Sequence, residues 1–220
     1  MIPFRDGASL GAPRLLSRQD LIFVILRLEF EGWRAALTAD ANLTSAATEP
    51  YMNGRLYRGM VTIRNALGLT NIYIVETPGV RPHPEPAHPQ GEPDLILLFA
   101  EFGANEPHAV IECKRLDPFE QPRNLRGEYV RSGMDRFIDG AYGGGHDLDF
   151  MAAYTLRGDG DAALNDVNEY LTNVRRPDCH LRLAPGYAPI GFVAESNHVR
   201  RTDQSNFRLL HGFLTFPTKP

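Results

Sequence analysis

Asp94, Glu112 and Lys114 have the residue types and the spacing to do hydrolytic chemistry together. Asp94 follows Pro93 and opens the apolar run Leu95-Ile96-Leu97-Leu98-Phe99, which reads as a strand buried on both faces. A polar connector carrying Gly103 and Asn105 suits a turn, and the chain returns through Ala109, Val110 and Ile111 into Glu112-Cys113-Lys114. Side chains alternate along a strand, so Glu112 and Lys114 face one way and Cys113 the other. If the two strands pair antiparallel, Asp94 lies beside Glu112. Converging carboxylates repel each other unless a cation or protons neutralise them. Magnesium suits such oxygen ligands, keeping waters and substrate phosphate in its shell. An ammonium two residues from one ligand can hold a water or steady charge on a pentacovalent phosphate. The chemistry implied is metal-assisted hydrolysis of a phosphodiester.

Pro93-Asp94 followed by Glu112-Cys113-Lys114, with the two acids 18 positions apart, resembles the PD-(D/E)XK signature of restriction-endonuclease-like nucleases. The resemblance implies that Asp94 and Glu112 bind Mg2+, with Mn2+ as a substitute. It also implies that Lys114 assists the attacking water and that the backbone carbonyl of Cys113 touches the metal. The substrate implied is nucleic acid, DNA ahead of RNA. Many members add a third acid from the first helix or the preceding strand. Glu76, at a strand end before a proline-rich loop, leads the options, with Asp20, Glu29 and Glu31 behind it. Glu29 and Glu31 cannot share a helical face, so at most one of them serves. Tyr129, Gly133, Arg136-Phe137 and Gly140 resemble the helix after the active site in uncharacterised members linked to bacterial antiphage defence. Many such nucleases dimerise to cut both strands, so a homodimer or a partner protein in a larger complex fits the same resemblance.

The elements that must position these residues form a mixed α/β pattern. Residues 1–16 read as a loose arm with Pro3, Gly7, Gly11 and Pro13. Ser17 with Asp20 three residues on predicts a helix start, and Leu21, Val24, Ile25, Leu28 and Trp33 carry the helix to about Leu37. Leu56, Met60, Ile63 and Leu67 predict a second helix ending at Gly68. A short strand at 71–75 precedes residues 78–93, whose prolines allow only an extended loop. After the motif, helices at 126–139 and 161–174 alternate with strands at 150–156 and 190–194. The segment 207–216 reads as a strand or a helix. This order predicts one nuclease-like domain over 1–220, a mixed β-sheet flanked by helices, similar to a restriction-endonuclease-like core.

Composition narrows the classes. A hydrophobic fraction of 43% with 23% charged residues is that of an ordinary globular chain. No apolar run is long enough to span a bilayer, and the start lacks the pattern of a secretory signal, so the expectation is a cytoplasmic protein without a membrane partner. Two cysteines, Cys113 and Cys179, build neither a disulfide framework nor a structural zinc site. A net charge of −4 gives no global attraction for nucleic acid. It favours the alternative of a non-catalytic module that binds nucleic acid or protein on the same fold. Local basic residues, among them Arg115, Arg123, Arg126, Arg131, Arg136 and the pairs Arg175-Arg176 and Arg200-Arg201, could grip a phosphate backbone. His83 and His88 read as loop histidines. Ser196, His198 and His211 invite a hydrolase-triad reading, but no Gly-x-Ser-x-Gly elbow surrounds Ser196, so a loop serine and loop histidines are expected.

Overall fold

The computed structural model describes residues 17–76, 93–100, 109–120, 124–142 and 147–217. The N-terminal arm, the proline-rich loop with His83 and His88, the turn residues Gly103 and Asn105, Arg123 and the glycines at 143–145 lie outside the described residues. Two helices come first. Helix α1 spans Arg18–Ala39, and the expected box forms at its start: Ser17 Oγ accepts from Asp20 N–H while Asp20 accepts from Ser17 N–H. Helix α2 spans Glu49–Ala66, with Thr48 before it and Pro50 in its first turn. It starts seven residues before Leu56, the first apolar position that announced it in the sequence.

Strands β1 (Ile72–Glu76), β2 (Leu95–Phe99) and β3 (Ala109–Leu116) form an antiparallel meander. The chain then winds through α3 (Leu125–Glu128), a π-helical segment Tyr129–Met134 and α4 (Asp135–Ile138). Gly140 takes a left-handed φ of 75° to end this helix. Strand β4 (Leu148–Thr155) returns parallel to β3, and α5 (Gly160–Asn173) follows. The short β5 (Arg182–Leu183), β6 (Val193–Val199) and β7 (Asn206–Thr215) complete a seven-stranded sheet in the order β1-β2-β3-β4-β7-β6-β5. The ambiguous C-terminal segment is therefore a strand, parallel to β4 and antiparallel to β6.

Helices cover both faces. Leu26, Met52, Leu56 and Met60 of α1 and α2 pack on Ile74, Leu97, Ile111 and Cys113. Tyr129, Met134, Phe137 and Val167 pack on the other face, over Val110, Met151, Leu209 and Phe213. Strand β4, in the middle of the sheet, is buried along its whole length, as expected of a parallel strand covered on both sides. The architecture is a mixed sheet flanked by helices.

Three expectations are corrected. Ser196 and His198 sit in β6, not in a loop, because Val193–Val199 pairs residue by residue with β7. Arg200 is no surface cation: it is fully buried, and its Nη2 pairs with Asp149 Oδ2 at 2.7 Å. Glu29 does not reach the Glu112 edge: it is buried on α1 against β7, two strands away from β3, where a Cβ on Gly212 would stand 2.1 Å from its Oε1.

Candidate active site

The site forms where β2 stops short. Leu95 pairs with Ile111, and beyond that point β3 continues from Glu112 to Leu116 without β2 beside it. Alternate N–H groups of β3 on that side therefore need other acceptors. Two carboxylates supply them. Cys113 N–H donates to Asp94 Oδ2 at 2.8 Å, and Arg115 N–H donates to Glu49 Oε2 at 3.2 Å. The Cys113 carbonyl faces the same side, because N–H and C=O of one strand residue point together.

Lys114 leaves the opposite face of the strand from Cys113 and bends its ammonium back to this edge. Its Nζ lies 2.9 Å from Glu112 Oε1, 3.0 Å from Glu49 Oε1, 2.8 Å from the Cys113 carbonyl and 4.0 Å from Asp94 Oδ2. Thus Asp94, Glu112, Lys114 and the Cys113 carbonyl meet, as the motif implies. The Cys113 side chain packs in the core beneath α1 and α2, where burial pushes its thiol pKa well up.

Neighbouring helices fix the acids. Asn53 Nδ2 donates to Asp94 Oδ1 at 2.8 Å, and Tyr154 on β4 donates to Asn53 Oδ1 at 2.9 Å. Glu49 and Asn53 stand four residues apart on α2, so one helical face braces both Lys114 and Asp94. From the other side Arg136 Nη1 reaches Glu112 Oε1 at 3.3 Å and bonds the Tyr142 hydroxyl. The π-helical segment brings Gly133 against the site. A Cβ there would lie 3.3 Å from Lys114 Cγ and 2.5 Å from Met151 Cε. A π-turn at such a place is a recurring feature of functional sites.

The electrostatics are those of acids held away from water. Burial raises the Glu112 pKa to about 7 against the pull of Lys114, and burial likewise raises Asp94. Burial acts to lower the Lys114 pKa, but Glu112, Glu49 and Asp94 together outweigh it and hold the ammonium charged. Glu112 Oε2 is buried and has no hydrogen-bond partner among the described residues. Among those residues no three His, Cys, Asp or Glu side chains stand grouped for an ion. Three carboxylates, Asp94, Glu112 and Glu49, and the Cys113 carbonyl surround one positive charge.

The chain matches no protein-family model, no curated protein and no solved structure.

Of the other acids singled out in the sequence, Glu76 ends β1 beside the start of β2, while Asp20 and Glu31 make contacts of their own. Glu76, opposite Leu95 at the end of β1, places Oε1 3.2 Å from where a Cβ on Gly54 would be, and it is not among the groups bonded to Lys114. Asp20 caps α1, and Glu31 pairs with Arg27. Sequence reasoning missed Glu49 and Asn53 as site residues, and it read Arg136 as a cation for phosphate where the structure pairs it with Glu112. A signal for Glu49 existed in Thr48-Glu49-Pro50, a helix start that puts a carboxylate in the first turn.

Of the arginines expected to grip phosphate, Arg126 pairs with Asp166 and Glu169, and Arg176 with Asp135. The triad candidates do meet. Ser196 Oγ lies 2.6 Å from His198 Nε2 and 2.8 Å from His211 Nε2, and Tyr129 OH lies 2.7 Å from His211 Nδ1. All are buried, with Ser196 only 2% exposed, and burial lowers both histidine pKa values, His198 to about 4. Glu195 pairs with Arg208 instead of orienting an imidazole. A nucleophile needs access to substrate and an oriented base, so this group is a polar plug in the core.

Proposed function

We propose that the protein is a metal-dependent nuclease of the restriction-endonuclease-like class, hydrolysing phosphodiester bonds in DNA. One observation carries this reading: Asp94, Glu112, the Cys113 carbonyl and Lys114 converge on a strand edge left open by the early end of β2. The donor chemistry fits a hard divalent ion, and the buried Glu112 Oε2, which has no hydrogen-bond partner among the described residues, is an oxygen available to one. Asp94, Glu112 and the Cys113 carbonyl would hold it. A bound Mg2+ or Mn2+ polarises the phosphoryl oxygen and makes a coordinated water acidic. Lys114, kept charged by the acids around it, would orient the attacking water and stabilise the charge gathering on phosphate. Asn53 and Arg136 restrain the carboxylates, so little reorganisation is needed when substrate arrives.

The test is incubation of the purified protein with supercoiled plasmid, single-stranded DNA and RNA, with Mg2+, with Mn2+ or with chelator. The reading expects metal-dependent cleavage of DNA, and a loss of at least roughly 100-fold for Asp94→Asn and for Lys114→Ala, the scale of removing one preorganised electrostatic group. Full activity in Asp94→Asn, or intact substrates under every metal, overturns it. Tight binding of nucleic acid without turnover would instead favour a non-catalytic module on this fold.

A further inference from the structure

We propose that Glu49 is a positioning residue that retains Lys114 beside the reaction centre when a divalent ion enters, and is not itself a metal ligand. This rests on the phosphodiesterase reading above. In the present structure the ammonium is the cation shared by the oxygens of Glu112, Glu49 and Cys113. A divalent ion held by Asp94, Glu112 and the Cys113 carbonyl needs some of the same oxygens, so Lys114 has to withdraw from them. Without a second acceptor a lysine displaced from a nearly buried carboxylate would swing into solvent, and its place over the phosphate would be lost.

Glu49 is built to be that acceptor. It is the first residue of α2, where the helix dipole favours a carboxylate. Its Oε2 is pinned by Arg115 N–H and its Oε1 by Lys114, so both oxygens already have donors, whereas Glu112 Oε2 has none among the described residues. The anchor of Glu49 on β3, Arg115 N–H, lies two residues beyond the anchor of Asp94, Cys113 N–H. At a strand rise of about 3.4 Å per residue the two anchors are about 7 Å apart. Lys114 Nζ lies 3.0 Å from Glu49 Oε1 and 4.0 Å from Asp94 Oδ2, so the ammonium already stands nearer the Glu49 end of this edge. The Cys113 carbonyl lies along the strand between the two anchors, and a lysine that released Glu112 would still have Glu49 as its acceptor.

The experiment separates holder from ligand by pairing two binding readouts with kinetics on a duplex oligonucleotide. Calorimetric titration with Mn2+ should give Glu49→Gln an affinity within about threefold of the parent, since Glu49 bonds none of the proposed ligand atoms and even a group that only orients a ligand costs roughly tenfold or more when lost. With Mg2+ and 15N-labelled lysine, the Lys114 ammonium signal, assigned by its loss in Lys114→Ala, should persist in the parent and broaden away in Glu49→Gln. In turnover, kcat should fall at least tenfold with KM unchanged, and Glu49→Gln should cost nothing further in the Lys114→Ala background. Mn2+ affinity lowered tenfold, an unchanged ammonium signal, or additive losses in the double variant each overturn the proposal. A parent protein that cleaves nothing would refute the nuclease reading, while the Mn2+ and ammonium measurements would still decide the role of Glu49.

Discussion

Replacing Glu29 with glutamine should flatten the pH dependence of stability. Glu29 is fully buried on α1, and neither carboxylate oxygen has a hydrogen-bond partner among the described residues. Burial raises its pKa from 4.5 to about 8. Below pH 4.5 the folded and unfolded chains both carry the proton. Between pH 4.5 and about 8 the unfolded chain has released it and the folded chain keeps it, so stability falls as pH rises. Each pH unit costs about 1.4 kcal/mol, so the stretch from pH 5 to pH 8 costs wild type about 4 kcal/mol that Glu29→Gln escapes. Glu112, also raised, adds a slope of the same sign, but it is present in both proteins and cancels in the comparison. Urea unfolding at several pH values across that interval measures the difference. The variant should gain on wild type steadily with pH. Two stability curves that run parallel from pH 5 to pH 8 would refute the reasoning and show Glu29 to be solvated or paired.

Three further outcomes follow from the packing. Asp149→Ala removes the carboxylate that neutralises the buried Arg200 guanidinium and should cost about 3–5 kcal/mol in chemical denaturation, with part of the loss recovered by adding Arg200→Met. Gly133→Ala drives a methyl into Met151 and toward Lys114; a loss of about 1–3 kcal/mol in melting experiments should accompany a fall in cleavage rate larger than stability alone explains. Ser196→Ala should cost about 1–3 kcal/mol by leaving two buried imidazoles short of a partner, yet leave cleavage per folded molecule unchanged, and the parent should not react with a fluorophosphonate probe.

The local parts of this protein were legible in its sequence. The Ser17–Asp20 box, the apolar run after Asp94 and the Glu112-Cys113-Lys114 alternation each declare themselves within a few residues, and the first and last stand in the structure as read. The apolar run forms its strand but buries only Leu95, Leu97 and Phe99, leaving Ile96 and Leu98 on the other face partly exposed. What stayed hidden depends on distant pairing. Glu49 meets Lys114 across 65 positions, Asn53 meets Asp94 across 41, and Arg136 meets Glu112 across 24. Their side chains look like ordinary helix surface until the sheet edge is placed beside them. Arg200 was misread for the same reason: a doubled arginine suggests a solvated patch, and only the fold supplies the Asp149 that lets one of the pair go inside. The stretch Ser196-Asn197-His198 looked like a loop because its letters are polar, whereas pairing with β7 and cover from Tyr129 make it an interior strand.

The carboxylates at the interrupted edge of β3 have a consequence beyond chemistry. By accepting from Cys113 N–H and Arg115 N–H they close off donors that would otherwise template the addition of a foreign strand. Truncating Asp94 or Glu49 to alanine therefore removes a guard against self-association as well as a functional group. An inactive alanine variant that clumps would mimic a folding defect. Amide replacements, which keep an oxygen on each donor, are the cleaner probes of this site.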